Sequence, residues 1–124
     1  MGVRNYRDLH AWQGAMELAD DLYEVSQHWP KDQLFGLVNQ ARRAAVSIPS
    51  NNAEGQGRGS PADFRRFVDI ANGSLCELET QLTLADRRGY IDLGTHERLL
   101  AKGAEVGRLL FGLRRSLESP PAIT

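Results

Sequence analysis

Apolar residues in this chain recur at three- and four-residue spacing through four successive segments, and nowhere alternate with the period of two that a half-buried strand needs. That pattern restricts the chain to packed helices. The first segment, from about Asp8 to Gln27, carries Leu9, Trp12, Met16, Ala19, Leu22 and Tyr23 on one face, with Asp8 as its expected N-cap. Trp29-Pro30 stops it. The second opens at Asp32 and runs through Leu34, Leu37, Val38, Ala41, Ala44, Ala45 and Ile48. Pro49 then removes a backbone donor and crowds the preceding turn, so the helix is expected to kink near Ile48 and continue for about two turns.

Gly55, Gly57 and Gly59 end that helix in a flexible turn. Ser60, Pro61 and Asp63 mark the next start: a capping hydroxyl, a proline at the first helical position and an acid at the third. The third seam is Phe64, Phe67, Ala71, Leu75, Leu78, Leu82 and Ala85, closed by Arg87, Arg88 and Gly89. The fourth, with Thr95 as cap, runs through Leu99, Leu100, Gly103, Val106, Leu110, Leu113 and Leu117. Four amphipathic helices joined by short turns bury their stripes most simply as an antiparallel up-and-down four-helix bundle. The expected domain is 1–118, followed by a short disordered tail, 119–124, that opens Ser119-Pro120-Pro121.

A chain of 124 residues buries enough apolar surface to fold without metal or disulfide staples. Cys76 is the only cysteine, so no internal disulfide forms, and its place beside the third seam predicts a buried structural thiol. No apolar run approaches the length that spans a bilayer, and the opening residues lack a signal-peptide core, so the expected location is cytoplasmic, with no membrane partner. A net charge of -1 argues against coating nucleic acid by bulk charge, because counterion release needs a concentrated basic surface. Any such contact must come from a local patch.

Catalytic and metal constellations are missing from the sequence. His10, His28 and His96 sit at helix ends or turns, and none follows a glutamate by three residues as di-iron bundles require. Glu17, Asp20, Asp21 and Glu24 read as a solvated face of the first helix. The glycine-rich turn lacks the Lys-Ser/Thr of a phosphate loop, although free N–H groups beside Arg58 would suit an anion. No catalytic residue, metal or cofactor is expected.

The cations carry more information. Lys31 and Lys102 are the only lysines among 15 cationic side chains, and arginines come in pairs: Arg42-Arg43, Arg65-Arg66, Arg87-Arg88 and Arg114-Arg115. Adjacent residues point about 100° apart on a helix, so each pair straddles an edge of the apolar stripe. Two arrangements are open. The arginines pack along the core edge and pair with acids such as Asp69, Asp86 or Glu118, or else Arg42, Arg43, Arg58, Arg65 and Arg66 form a phosphate-binding patch.

The segment Ser47-Ile48-Pro49-Ser50-Asn51-Asn52-Ala53-Glu54-Gly55 resembles the Ser-Ile-Pro-Ser-Asn-Ile-Ala-Glu-Gly signature of the four-helix-bundle family encoded in bacterial 23S rRNA intervening sequences. Similar matches are Tyr6-Arg7-Asp8-Leu9-His10-Ala11-Trp12, Gln40 to Arg43, and Gly73 to Gln81; Asn52 departs from the usual apolar residue. That family is similar in turn to the accessory variability protein of diversity-generating retroelements, a ring-forming basic bundle that associates with reverse transcriptase and RNA. The resemblance implies a homopentamer with RNA, or a nucleic-acid-processing protein, as partner. Within the signature Pro49 sets the kink, Asn51 satisfies carbonyls freed by it, Glu54 caps or pairs with Arg58, and Gly55 belongs to the structural set. The expected function is thus a non-enzymatic homo-oligomeric bundle with an RNA-binding or accessory role; the alternative is a protein–protein interaction module that binds no nucleic acid.

Overall fold

The computed structural model describes residues 5–118; the expected tail, 119–124, lies outside them. Four helices account for most of the described chain: α1 (His10–Ser26), α2 (Asn39–Gly57), α3 (Pro61–Arg87) and α4 (Leu93–Ser116). No strand is present among the described residues. α1 packs on α2 and α4, and α3 on α2 and α4, so α1–α3 and α2–α4 are the diagonals of the antiparallel bundle. The core is one apolar cluster to which all four helices contribute, centred on Leu18, Leu22, Ile48, Val68, Leu78, Leu82, Leu99, Val106 and Leu110.

Helix starts follow the local acceptors. Asn5 caps a short 3-10 turn, Tyr6–Asp8, by accepting from Arg7 N (2.9 Å), and α1 begins after Leu9 with no side-chain cap, so Asp8 does not serve as expected. Ser60 Oγ accepts from Asp63 N (3.1 Å), as the serine-proline start predicts. The fourth cap shifts by three residues. Asp92 Oδ1 accepts from Thr95 N (2.7 Å), so the threonine expected to cap is the residue being capped.

α2 continues past Pro49 to Gly57, as expected, but the kink expected near Ile48 is not where the chain leaves helical torsions. The non-helical join lies upstream. Between Lys31–Gln33, a 3-10 turn, and Asn39 the chain makes a π-turn, Leu34–Val38, in which Gly36 leaves helical torsions (φ -110°, ψ -114°). The regular helix therefore begins seven residues after Asp32, and Leu34 and Phe35 project into solvent. Among the described residues only Gly59 and Gly89 adopt positive φ, each just past a helix end where a side chain would be strained.

Two further expectations change. Met16 and Tyr23 sit at the margin of the α1 stripe and are exposed, while Ala11, Ala15 and Leu18 take the centre. Cys76 is exposed as well. It lies one position past Leu75, about 100° around the helix, which carries it off the seam onto the outer face of α3.

Candidate functional site

Among the described residues no three of His, Cys, Asp and Glu come together as a metal site, and no helix is long and apolar enough to cross a membrane. One constellation has the order of a catalytic relay. His96 Nδ1 faces Asp86 Oδ2 at 3.5 Å, and its Nε2 lies 3.4 Å from Thr83 Oγ1. The threonine hydroxyl, however, donates to Glu79 O within its own helix (3.0 Å), which spends the proton a nucleophile would surrender. The group instead staples the end of α3 to the start of α4.

The five arginines named from sequence do not meet. Arg42 and Arg43 lie in the first turns of α2, whereas Arg58 follows its last turn, about 24 Å away along the axis. Arg42 is committed to the α1–α2 seam: its Nε donates to Ser26 Oγ (2.9 Å) and its guanidinium lies over the Tyr23 ring (4.6 Å). Arg43 is exposed and unpaired among the described residues. At the other end Arg58 donates to Glu54 (2.9 Å), and Arg66 stands 4.0 Å from Asp63. Both guanidiniums cover the Phe67 ring, at 5.0 and 4.6 Å. Arg65 Nη1 donates to Leu117 O (2.9 Å), satisfying a carbonyl at the end of α4. The anion cradle expected beside Arg58 does not form, because α2 absorbs Gly55 and Gly57 and Ser60 occupies the α3 start.

Ion pairs take up other cations. Arg114 bridges Asp69 (2.7 Å) and Glu118 (3.2 Å), which holds its guanidinium charged even more firmly than usual. Lys102 pairs with Glu17, tying α4 to α1, and that hydrogen bond raises its pKa. Glu79 moves the other way for a carboxylate: burial pushes its pKa up. The cap hydrogen bond from Thr95 N holds Asp92 below the usual range.

The signature residues divide by role. Gly55 marks a close approach of α2 to α3, where a Cβ would stand 2.7 Å from Phe67 Cβ and 3.0 Å from Phe64 Cδ1. Asn51 Nδ2 donates to Ser47 O (2.8 Å) and Ser47 Oγ (2.9 Å), and that hydroxyl bonds Ser74 Oγ (2.8 Å) on α3. Asn51 thus serves Ser47, not Ala45, whose carbonyl the missing Pro49 N–H leaves open. Glu54 pairs with Arg58 as expected. Asn52 is fully buried, and neither its Oδ1 nor its Nδ2 has a partner.

Two surfaces escaped the sequence. A groove of about 380 Å³ runs between α1 and α2, lined by Tyr6, Trp12, Met16, Tyr23 and Val46 with signature residues Pro49, Ser50 and Ala53. It continues past Tyr23 and Val46 into a second hollow that holds Arg42 and Arg43. Van der Waals width was the missing signal, since periodicity gives the direction of an apolar stripe but not its edge. The other surface is the outer face of α4, where Phe111, off the Leu110–Leu113–Leu117 seam, is 63 % exposed between Arg108 and Arg115.

Taken as a class, the molecule is an antiparallel four-helix bundle with a proline carried inside its second helix. The family model for the 23S rRNA-intervening sequence protein matches residues 7–112, and the chain belongs to that family. Among solved structures it is similar to a protein of unknown function from the S23 ribosomal protein family of Bacteroides thetaiotaomicron. The two share 25 % identity with a TM-score of 0.78, over 85 % of this chain and 95 % of the other. No functionally curated protein matches significantly.

Proposed function

We propose that the chain is a non-enzymatic subunit that assembles with copies of itself, in the cytoplasm, and presents arginines to RNA or to a nucleic-acid-processing protein. The observation that carries the reading is the α1–α2 groove, because Trp12, Met16, Tyr23 and Val46 leave apolar surface uncovered along a face that also holds the family signature. A ring would repeat each subunit's arginines and multiply weak phosphate contacts. Arg43, Arg87, Arg88, Arg108 and Arg115 are exposed and make no ion pair among the described residues, so their charge is available.

A second reading, a module that docks protein alone, draws support from the engagement of Arg42, Arg58, Arg65 and Arg66 by internal partners. Sedimentation velocity tests the assembly: the wild type is expected to sediment as a closed oligomer, and Met16→Glu with Val46→Glu as a folded monomer. A wild-type species of 13.8 kDa across the micromolar range would refute it. Fluorescence anisotropy with structured RNA separates the two readings. Binding that weakens steeply with salt is expected, and none at tens of micromolar leaves only the protein-docking module.

A further inference from the structure

α4 contacts α1 and α3 and lies diagonally across the bundle from α2, so its outer face points away from the helix that floors the assembly groove. On that face Arg108, Phe111 and Arg115 fall within about 60° of one another and span two turns, about 10 Å. Phe111 is left mostly exposed, and neither arginine has an acidic partner among the described residues: Glu105 belongs to Lys102 and Glu118 to Arg114. The neighbouring groove, about 420 Å³ between α4 and the start of α1, is lined on its polar side by Arg108, His10 and Asp8.

Gly112 borders the same strip. A side chain there would meet nothing within 4 Å, so packing within the bundle does not demand a glycine. The open space leaves the backbone of α4 approachable from solvent at this point.

We infer that the Arg108–Phe111–Arg115 strip docks single-stranded nucleic acid, with one base stacked on Phe111 and flanking phosphates on the two guanidiniums. The inference rests on the nucleic-acid reading above and gives it a location that the α2–α3 arginines do not provide. An exposed aromatic ring between unpaired cations suits an unstacked strand; a duplex offers its phosphates but not its base faces. Asp8 sits at the groove's far side and biases the strand toward the Phe111 side of the arginines.

The test is anisotropy of the full chain with a labelled oligouridine and with a duplex RNA of the same length. Phe111→Ala is expected to weaken single-strand binding about 5- to 150-fold and leave duplex binding unchanged, while Phe111→Tyr binds as the wild type does. Arg108→Gln with Arg115→Gln is expected to reduce the log–log salt slope by about 1.4, the share of two single-strand phosphates. Gly112→Leu, which keeps every charge, should weaken binding by blocking the approach. If the wild type binds the strand and Phe111→Ala binds equally well, the inference falls and the broader reading stands. If the wild type binds neither probe, both fall. A change in sedimentation of Phe111→Ala, without a change in binding, would make the strip a contact between copies and overturn the assignment.

Discussion

Replacing Asn52 with leucine is expected to stabilise the bundle by about 2 kcal/mol. Asn52 is 0 % exposed, and its carbonyl oxygen and amide nitrogen both lack partners. Each unpaired buried polar group costs about 1–3 kcal/mol in lost hydration, so the amide as a whole penalises folding by several. Leucine keeps the same branch point and adds apolar contact at a position where the family signature carries isoleucine. Against this stands overpacking, about 1–3 kcal/mol in a dense core. The balance stays positive, and for a domain of this size it corresponds to roughly 8 °C in Tm. Urea unfolding followed by circular dichroism, at several protein concentrations to separate assembly from folding, measures it. A leucine variant no more stable than the wild type would refute the reasoning, because it would mean that the amide is satisfied in solution by a buried water.

Gly55→Ala should destabilise by about 1–3 kcal/mol despite the better helix propensity of alanine, since the new Cβ meets Phe67 Cβ, which cannot move without shifting α3. Gly57→Ala, with open space around it, should instead gain about 0.5–1 kcal/mol, and chemical denaturation of the pair isolates the steric term. Asp92 has its pKa lowered in the folded state, so its contribution is complete above the ordinary value of 3.8 and is lost as pH falls through the folded-state pKa; Asp92→Asn should flatten that acid limb of the stability curve. Glu79 is raised by burial, so its ionised form opposes folding at neutral pH and the deficit disappears as pH falls toward 4.5. Glu79→Gln is accordingly expected to raise Tm at pH 7 and to match the wild type in acid.

The third helix was the most legible element, because Ser60, Pro61 and Asp63 encode its start through purely local hydrogen bonding and Gly89 encodes the reversal past its end. Passage of α2 through Pro49 was also readable, since apolar spacing persists up to the proline and glycines appear only later. The π-turn at Leu34–Val38 was not: Leu34, Leu37 and Val38 match a helical seam whether or not the backbone keeps α geometry. Asp92 and Thr95 are both good caps three residues apart, and only the entry path from Tyr90 and Ile91 decides between them. For the site, spacing and residue type gave the Glu54–Arg58 pair and the acids Asp69 and Glu118 that Arg114 takes up, but not the partners of Arg42 and Arg65. Arg65 finds its acceptor 52 residues away at Leu117, a pairing that no local pattern encodes.

The tight seat of Gly55 also bears on how the chain folds. α2 and α3 are joined by only Arg58, Gly59 and Ser60, so closing this hairpin costs little loop entropy. Three contacts along its length become available at once: the Gly55–Phe67 approach, the Ser47–Ser74 hydroxyl bond, and the Ser60 cap. None requires α1 or α4. The hairpin is therefore the natural nucleus, with α1 and α4 condensing onto it late, and the rate-limiting barrier should respond to changes at Gly55 and Ser60 while ignoring those at the Lys102–Glu17 pair. The residue that forbids a methyl group between two helices thus also sets the order in which the bundle comes together.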